Sequence, residues 1–120
     1  MEEKKKYDLE ERTLNFLKNV IQFLRSMTKD FVNVELGKQL IRSAGSIGAN
    51  YREANEAISK KDFAFRIRIC RKEAKESSFW LSAFECKNGL EEKRKILFQE
   101  SFELTKIFGS MVKKFEENGY

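Results

Sequence analysis

The chain is expected to be all-α, an antiparallel up-down-up-down four-helix bundle, and three observations predict this. Its 120 residues contain no proline and only six glycines, and proline is what normally interrupts a helix. Apolar residues recur at three- and four-residue spacing through four stretches, the signature of one-sided helices. The gaps between stretches are short, which obliges neighbouring helices to run antiparallel. The length suits a single domain over 1–120, with residues 1–7 expected as a disordered tail.

The first helix is expected over residues 9–28, with Asp8 as cap and Glu11 placed for a capping box. Leu14, Leu17, Ile21 and Leu24 form its first apolar face, and Phe16, Val20, Phe23 and Met27 a second stripe beside it. The second helix is expected over 34–58 behind Asn33, with Leu36, Leu40, Ala44, Ile47, Tyr51, Ala54 and Ile58 inward. The third opens on the capping box Ser59-Lys-Lys-Asp62 and runs to about residue 87, where Asn88-Gly89 gives a stop signal. Its inward face is Phe63, Ile67, Cys70, Ala74, Ser77, Leu81 and Phe84. The fourth spans 91–117, with Leu97, Leu104, Phe108, Met111 and Phe115 inward, and Asn118-Gly119 closes it.

Composition excludes several functions. The chain is 41% apolar and 36% charged, and no window approaches a membrane span, so no membrane partner is expected. The charged start, Met1 to Lys6, has no apolar core to follow, which predicts a cytoplasmic protein. Cys70 and Cys86 stand 16 residues apart on one expected helix, too far for a disulfide. There is no histidine, hence no ordinary general base and no usual transition-metal ligand. A glycine-rich phosphate loop and a Cys-x-x-Cys motif are also missing. Cys70 falls on the inward face, where a thiol packs rather than attacks. No catalytic residue, cofactor or metal is therefore expected, and the protein is read as not an enzyme.

Three features remain. On the second helix Gln39, Ser43, Ser46, Asn50 and Glu53 follow one another at four- and three-residue steps, among the small residues Gly37, Ala44, Gly45, Gly48 and Ala49. This polar stripe suits either close helix packing with cross-helix hydrogen bonds or a polar groove for a ligand. Next, Phe65, Ile69 and Trp80 on the third helix, and Phe98 and Phe102 on the fourth, lie off the core faces. Surplus aromatics of this kind call for a covering partner, by default a second copy of the chain. Last, the net charge is +5, and residues 60–75 alone carry seven basic groups against Asp62 and Glu73. Lys61, Arg68, Lys72 and Lys75 share the side opposite the core, with Arg71 beside them and Phe79 in line. A solvated face with local pairs such as Lys72–Glu76 is the plain reading. A strip contacting RNA or DNA phosphates is the functional one.

Several stretches resemble the four-helix-bundle proteins of the 23S rRNA intervening-sequence family. They are Arg42-Ser-Ala-Gly-Ser-Ile-Gly-Ala-Asn-Tyr-Arg-Glu-Ala54, Ser59-Lys-Lys-Asp-Phe63, Ile69-Cys-Arg-Lys-Glu-Ala-Lys-Glu76 with Trp80-Leu81, and residues 100–114. Tyr51 stands where that family more often has Ile. The resemblance implies a bacterial bundle that assembles as a ring, a homopentamer in known relatives. It also implies kinship with the accessory protein of diversity-generating retroelements, which associates with a reverse transcriptase and nucleic acid. It brings no catalytic residues. The leading expectation is thus an oligomeric, non-enzymatic protein that contacts RNA or DNA backbone. The alternative is a protein-interaction scaffold or accessory subunit for a nucleic-acid enzyme. A third reading, a small-molecule role, needs a polar cavity at Ser46, Asn50 and Glu53.

Overall fold

The computed structural model describes residues 2–87 and 89–120, and the side chains from Asp8 onward. Four helices follow one another: α1 (Glu2–Ser26), α2 (Phe31–Asn55), α3 (Lys60–Ala83) and α4 (Leu90–Glu117). Each packs against its neighbours in sequence, and α1 closes the bundle against α4. The result is a rod of 47 × 24 × 19 Å. Among the described residues no helix is long and apolar enough to cross a membrane.

Local chemistry sets the helix ends. The Asp30 carboxylate accepts the Asn33 main-chain N–H at 2.8 Å, so α2 begins three residues before its expected start and Asp30, not Asn33, is the cap. The Asn33 amide instead donates to the Thr28 carbonyl. Ser59 caps α3 as expected, accepting from the Asp62 N–H at 3.0 Å. Helix α1 passes through Asp8, which therefore caps nothing. Of the expected tail over residues 1–7, the backbone of residues 2–7 belongs to α1, while Met1 and the side chains of this stretch lie outside the described residues.

Helix α3 stops at Ala83, short of the expected end near residue 87. Phe84 leaves the helix in an extended conformation and buries its ring edge-on against Phe23 of α1, centroids 5.5 Å apart. Cys86 consequently lies beyond α3. Asn88 lies outside the described residues, while Gly89, at φ 82°, opens α4 rather than ending α3. At the far end Gly119, at φ 87°, lets the Tyr120 N–H return to the Phe115 carbonyl at 2.8 Å.

The core is built from Leu40, Ala44, Ile47, Tyr51 and Ala54 of α2, Ile67, Cys70, Ala74 and Leu81 of α3, and Leu97, Leu104, Phe108 and Val112 of α4. On α1 the stripe that enters it is Phe16, Val20, Phe23 and Met27. Of the stripe expected first, Leu14 is exposed, and Leu17 and Leu24 pack only partly against the core. Those leucines instead cover glycines of α2. A Cβ on Gly37 would come 3.3 Å from Leu24, and one on Gly48 would come 3.0 Å from Thr13 Oγ1. Close approach thus explains Gly48 and Gly37, with α1 as the approaching helix, whereas a Cβ on Gly45 would meet Leu17 at an ordinary 3.8 Å. Ile58, expected in the core, is 96% exposed because α2 has ended at Asn55 and the chain is turning toward Ser59. On the remaining seam, Arg12 of α1 grips Glu100 of α4 through two hydrogen bonds of 2.7 and 2.9 Å.

Candidate nucleic-acid interface

The outward side of α3 carries Lys61, Phe65, Arg68, Lys72, Lys75 and Phe79 at steps of four, three, four, three and four. That spacing keeps all six within one narrow line along the helix. Arg71 sits a quarter turn toward α4, where a Cβ on Gly109 would make ordinary contact with its Nε at 3.8 Å. Arg68, Arg71, Lys72 and Lys75 converge on a shallow groove whose other walls are Val112 and Glu116 of α4. Among the described residues Glu116 is the sole acid lining it. Among the described residues none of the four cations forms an ion pair with Asp or Glu. Arg68 donates to the Tyr120 main-chain oxygen at 2.7 Å. The local pair Lys72–Glu76 does not form, because Glu76 turns to Arg42. Lys61 shares the line but stands outside the groove, near the start of α3.

The five residues expected to meet a partner divide. Phe65 is 56% and Phe102 46% exposed. Trp80 and Phe98 are half-buried against their own core, and Ile69 is half-buried as well. The bundle itself therefore covers much of three side chains assigned to a partner. The indole N–H of Trp80 is buried without an acceptor among the described residues. Other exposed apolar groups escaped the sequence reading: Phe31 at 80%, together with Val34, Ile41 and Ile96. Phe31 was missed because it precedes the expected start of α2. Phe79, noticed only for its alignment with the cations, is 64% exposed.

Comparison with known proteins bears on these residues as a set. The sequence pattern of the 23S rRNA-intervening sequence proteins matches residues 5–110. The chain belongs to that family. A solved relative is a protein with unknown function from the S23 ribosomal protein family of Bacteroides thetaiotaomicron VPI-5482. It is 32% identical, aligns over 91% of this chain and 98% of its own, and superposes with a TM-score of 0.75. No curated protein matches the chain.

The α2 and α3 stretches that carry the likeness to intervening-sequence proteins meet along the seam between those helices, and residues 100–114 lie on α4. Arg42 bonds Glu76 at 3.0 Å and reaches Glu73 at 3.9 Å. Ser43 and Ser77 share a buried hydroxyl bond of 2.9 Å. The Asn50 amide nitrogen donates to Ser46, and its oxygen accepts from Arg66 at 3.1 Å. Gln39 touches Arg42 at the exposed edge, while Glu53 stands exposed. Burial, and the neighbouring Glu76, push the Glu73 carboxyl above the usual carboxylate range, with Ser46 and Arg42 opposing. The adjoining Glu73 carboxyl, helped by Arg42, holds Glu76 below it. The two carboxyls therefore titrate together rather than independently. Of the polar stripe, Ser43 and Asn50 thus bond across the seam and Ser46 braces Asn50, while Gln39 and Glu53 stay at the exposed edge; Arg42 beside the stripe makes the remaining cross-seam bonds. Burial also pushes the Cys70 thiol up to about 12, and its Sγ donates to the Ile47 carbonyl. A thiol so held packs and does not attack.

Proposed function

We propose that the chain is a non-catalytic binding protein of the cytoplasm that holds the phosphate backbone of RNA or DNA in the α3–α4 groove. One observation supports this above the rest: four cations line one groove, and among the described residues none is paired with a carboxylate side chain and Glu116 is the one acid that opposes them. Such a strip attracts a polyanion by releasing its counterions, and the gain depends on salt. Four phosphate contacts correspond to a slope of about −3 to −4 in log affinity against log salt for duplex DNA. Gel shifts with structured RNA and with DNA over a salt series test the reading. Retention at low salt with that slope is the expected result, and no retention at low salt overturns it.

Assembly of copies belongs to the same proposal. Phe31, Val34, Ile41, Ile96 and Phe102 are apolar, exposed and away from the basic line, and exposed groups of this kind favour a covering partner. The family resemblance implies five subunits. Light scattering of the purified chain measures this, and a lone subunit at high concentration removes the assembly. The same exposed residues favour a second reading, an interaction scaffold for a nucleic-acid enzyme. A protein partner that stays bound through nuclease and high salt is its distinguishing result.

A further inference from the structure

We propose that the strand held by α3 is single-stranded, its bases stacking on Phe65 and Phe79 while Arg68, Lys72 and Lys75 take the phosphates between them. The inference rests on the backbone-binding reading above and adds to it the form of the nucleic acid. Phe65 and Phe79 lie on the same outward line as the three cations and bracket them. Fourteen residues of helix separate the two rings along the axis, about 21 Å at ~1.5 Å per residue, a span that holds a few nucleotides. Both rings are more than half exposed, at 56% and 64%. The ring of Phe79 stands edge-on to Trp80, centroids 5.0 Å apart, and is braced by a half-buried neighbour. The Arg66 guanidinium lies 5.9 Å from the Phe65 ring centre.

The choice of occupant follows from what each candidate offers. A duplex keeps its base faces stacked inside and presents phosphates, so two exposed phenylalanines gain nothing from it. A single strand presents both phosphates and free base faces, and cationic grooves with aromatic platforms bind it without reading sequence. A sister copy would have to cover Arg68, Lys72 and Lys75 to reach both rings, and burying cations without partners is costly. An anionic membrane is a poorer match, because an interfacial helix inserts a continuous apolar face, and that of α3 is already spent on the core.

The test is fluorescence anisotropy with the full chain at low salt, using a labelled oligonucleotide as a single strand and as its duplex. The single strand is expected to bind tighter. Phe65→Ala and Phe79→Ala are each expected to weaken single-strand binding by about fivefold to a hundredfold, from the usual worth of one stacked base, and to leave the duplex unchanged. Phe79→Trp keeps a stacking surface and is expected to retain affinity. Both phenylalanines are exposed, so unchanged thermal melts should accompany these losses. Equal binding of strand and duplex, indifferent to the alanine variants, overturns this inference and leaves the backbone reading intact. Loss of binding to every nucleic acid removes both. A change of oligomeric state in Phe65→Ala, or capture by anionic vesicles that both alanine variants abolish, assigns the rings to another partner and overturns the proposal.

Discussion

Helix α3 faces a charged seam on each side. Toward α2, Arg42 meets Glu76 at 3.0 Å and Glu73 at 3.9 Å, and Ser43, Ser46, Asn50, Arg66 and Ser77 complete the contacts. Toward α4, Arg68, Arg71, Lys72 and Lys75 share a groove with the single acid Glu116. The first seam spends its charges internally, and the second leaves them for solvent or a ligand. Charge count alone does not separate the two, because residues of both seams lie within the same basic stretch. What separates them is what the opposite helix supplies beside the charges: α2 supplies Arg42 and hydroxyls, whereas at the groove α4 supplies glycine, valine and one glutamate, its Ser101 hydroxyl meeting Ser78 farther along the helix. The largest effect should come from breaking the open seam. Arg68→Glu, Lys72→Glu and Lys75→Glu together remove three phosphate contacts, a loss of several hundredfold in affinity at about 0.1 M salt. A gel shift measures this, and melts should show the bundle still folded.

The closed seam predicts the reverse pattern. Arg42→Ala strips Glu73 and Glu76 of their cation, and should cost about 1 kcal/mol, because Arg42 is itself more than half exposed. That corresponds to a few degrees in Tm, with nucleic-acid binding unchanged. The pH dependence sharpens the point. Glu73 has a raised carboxyl, so its folded-state contribution is full in acid and is lost as pH rises through its folded value. Glu76 has a lowered one, so its contribution is present above the ordinary carboxylate range and lost as pH falls through its folded value. Glu73→Gln should therefore match or exceed the parent Tm near neutral pH and lose that advantage in acid. Glu76→Gln should be less stable near neutral pH, with the deficit closing in acid. Melts of both variants from about pH 4 to about pH 8 test the signs, and two variants moving in parallel would contradict the opposite shifts of the two carboxyls.

How much of this was legible differs along the chain. The inward faces of α2, α3 and α4 follow three-and-four spacing and emerge in the core almost as expected. Helix α1 offered two adjacent apolar stripes, and periodicity cannot rank them. The larger Phe16 and Phe23 took the centre, and the leucines were left to cover Gly37 and Gly45. Ile58 continued the α2 pattern past a helix end that spacing does not register. The exit of α3 at Ala83 depends on Phe84 finding Phe23, sixty-one residues away in sequence, and no local signal carries that. Among candidate site residues the cations were readable because one helix holds them all. The partners of the polar stripe were not, because Glu73, Glu76 and Arg66 meet it only through the register of α3 on α2.

The smallest effect concerns Lys61, and it asks whether the groove or the line is the binding unit. Helical angle groups Lys61 with Arg68, Lys72 and Lys75, since all four point outward. Axial position separates it: Lys61 lies about 10 Å from Arg68 along the helix at ~1.5 Å per residue, beyond the groove walls of Val112 and Glu116. A charge about one Debye length away near physiological salt is largely screened. Lys61→Ala should therefore weaken nucleic-acid binding only about twofold and leave the salt slope nearly unchanged, whereas Lys72→Ala should lower the slope by about one. Equal losses from the two variants would mean that the ligand follows the whole outward line of α3, with the α4 wall contributing little to where it lies.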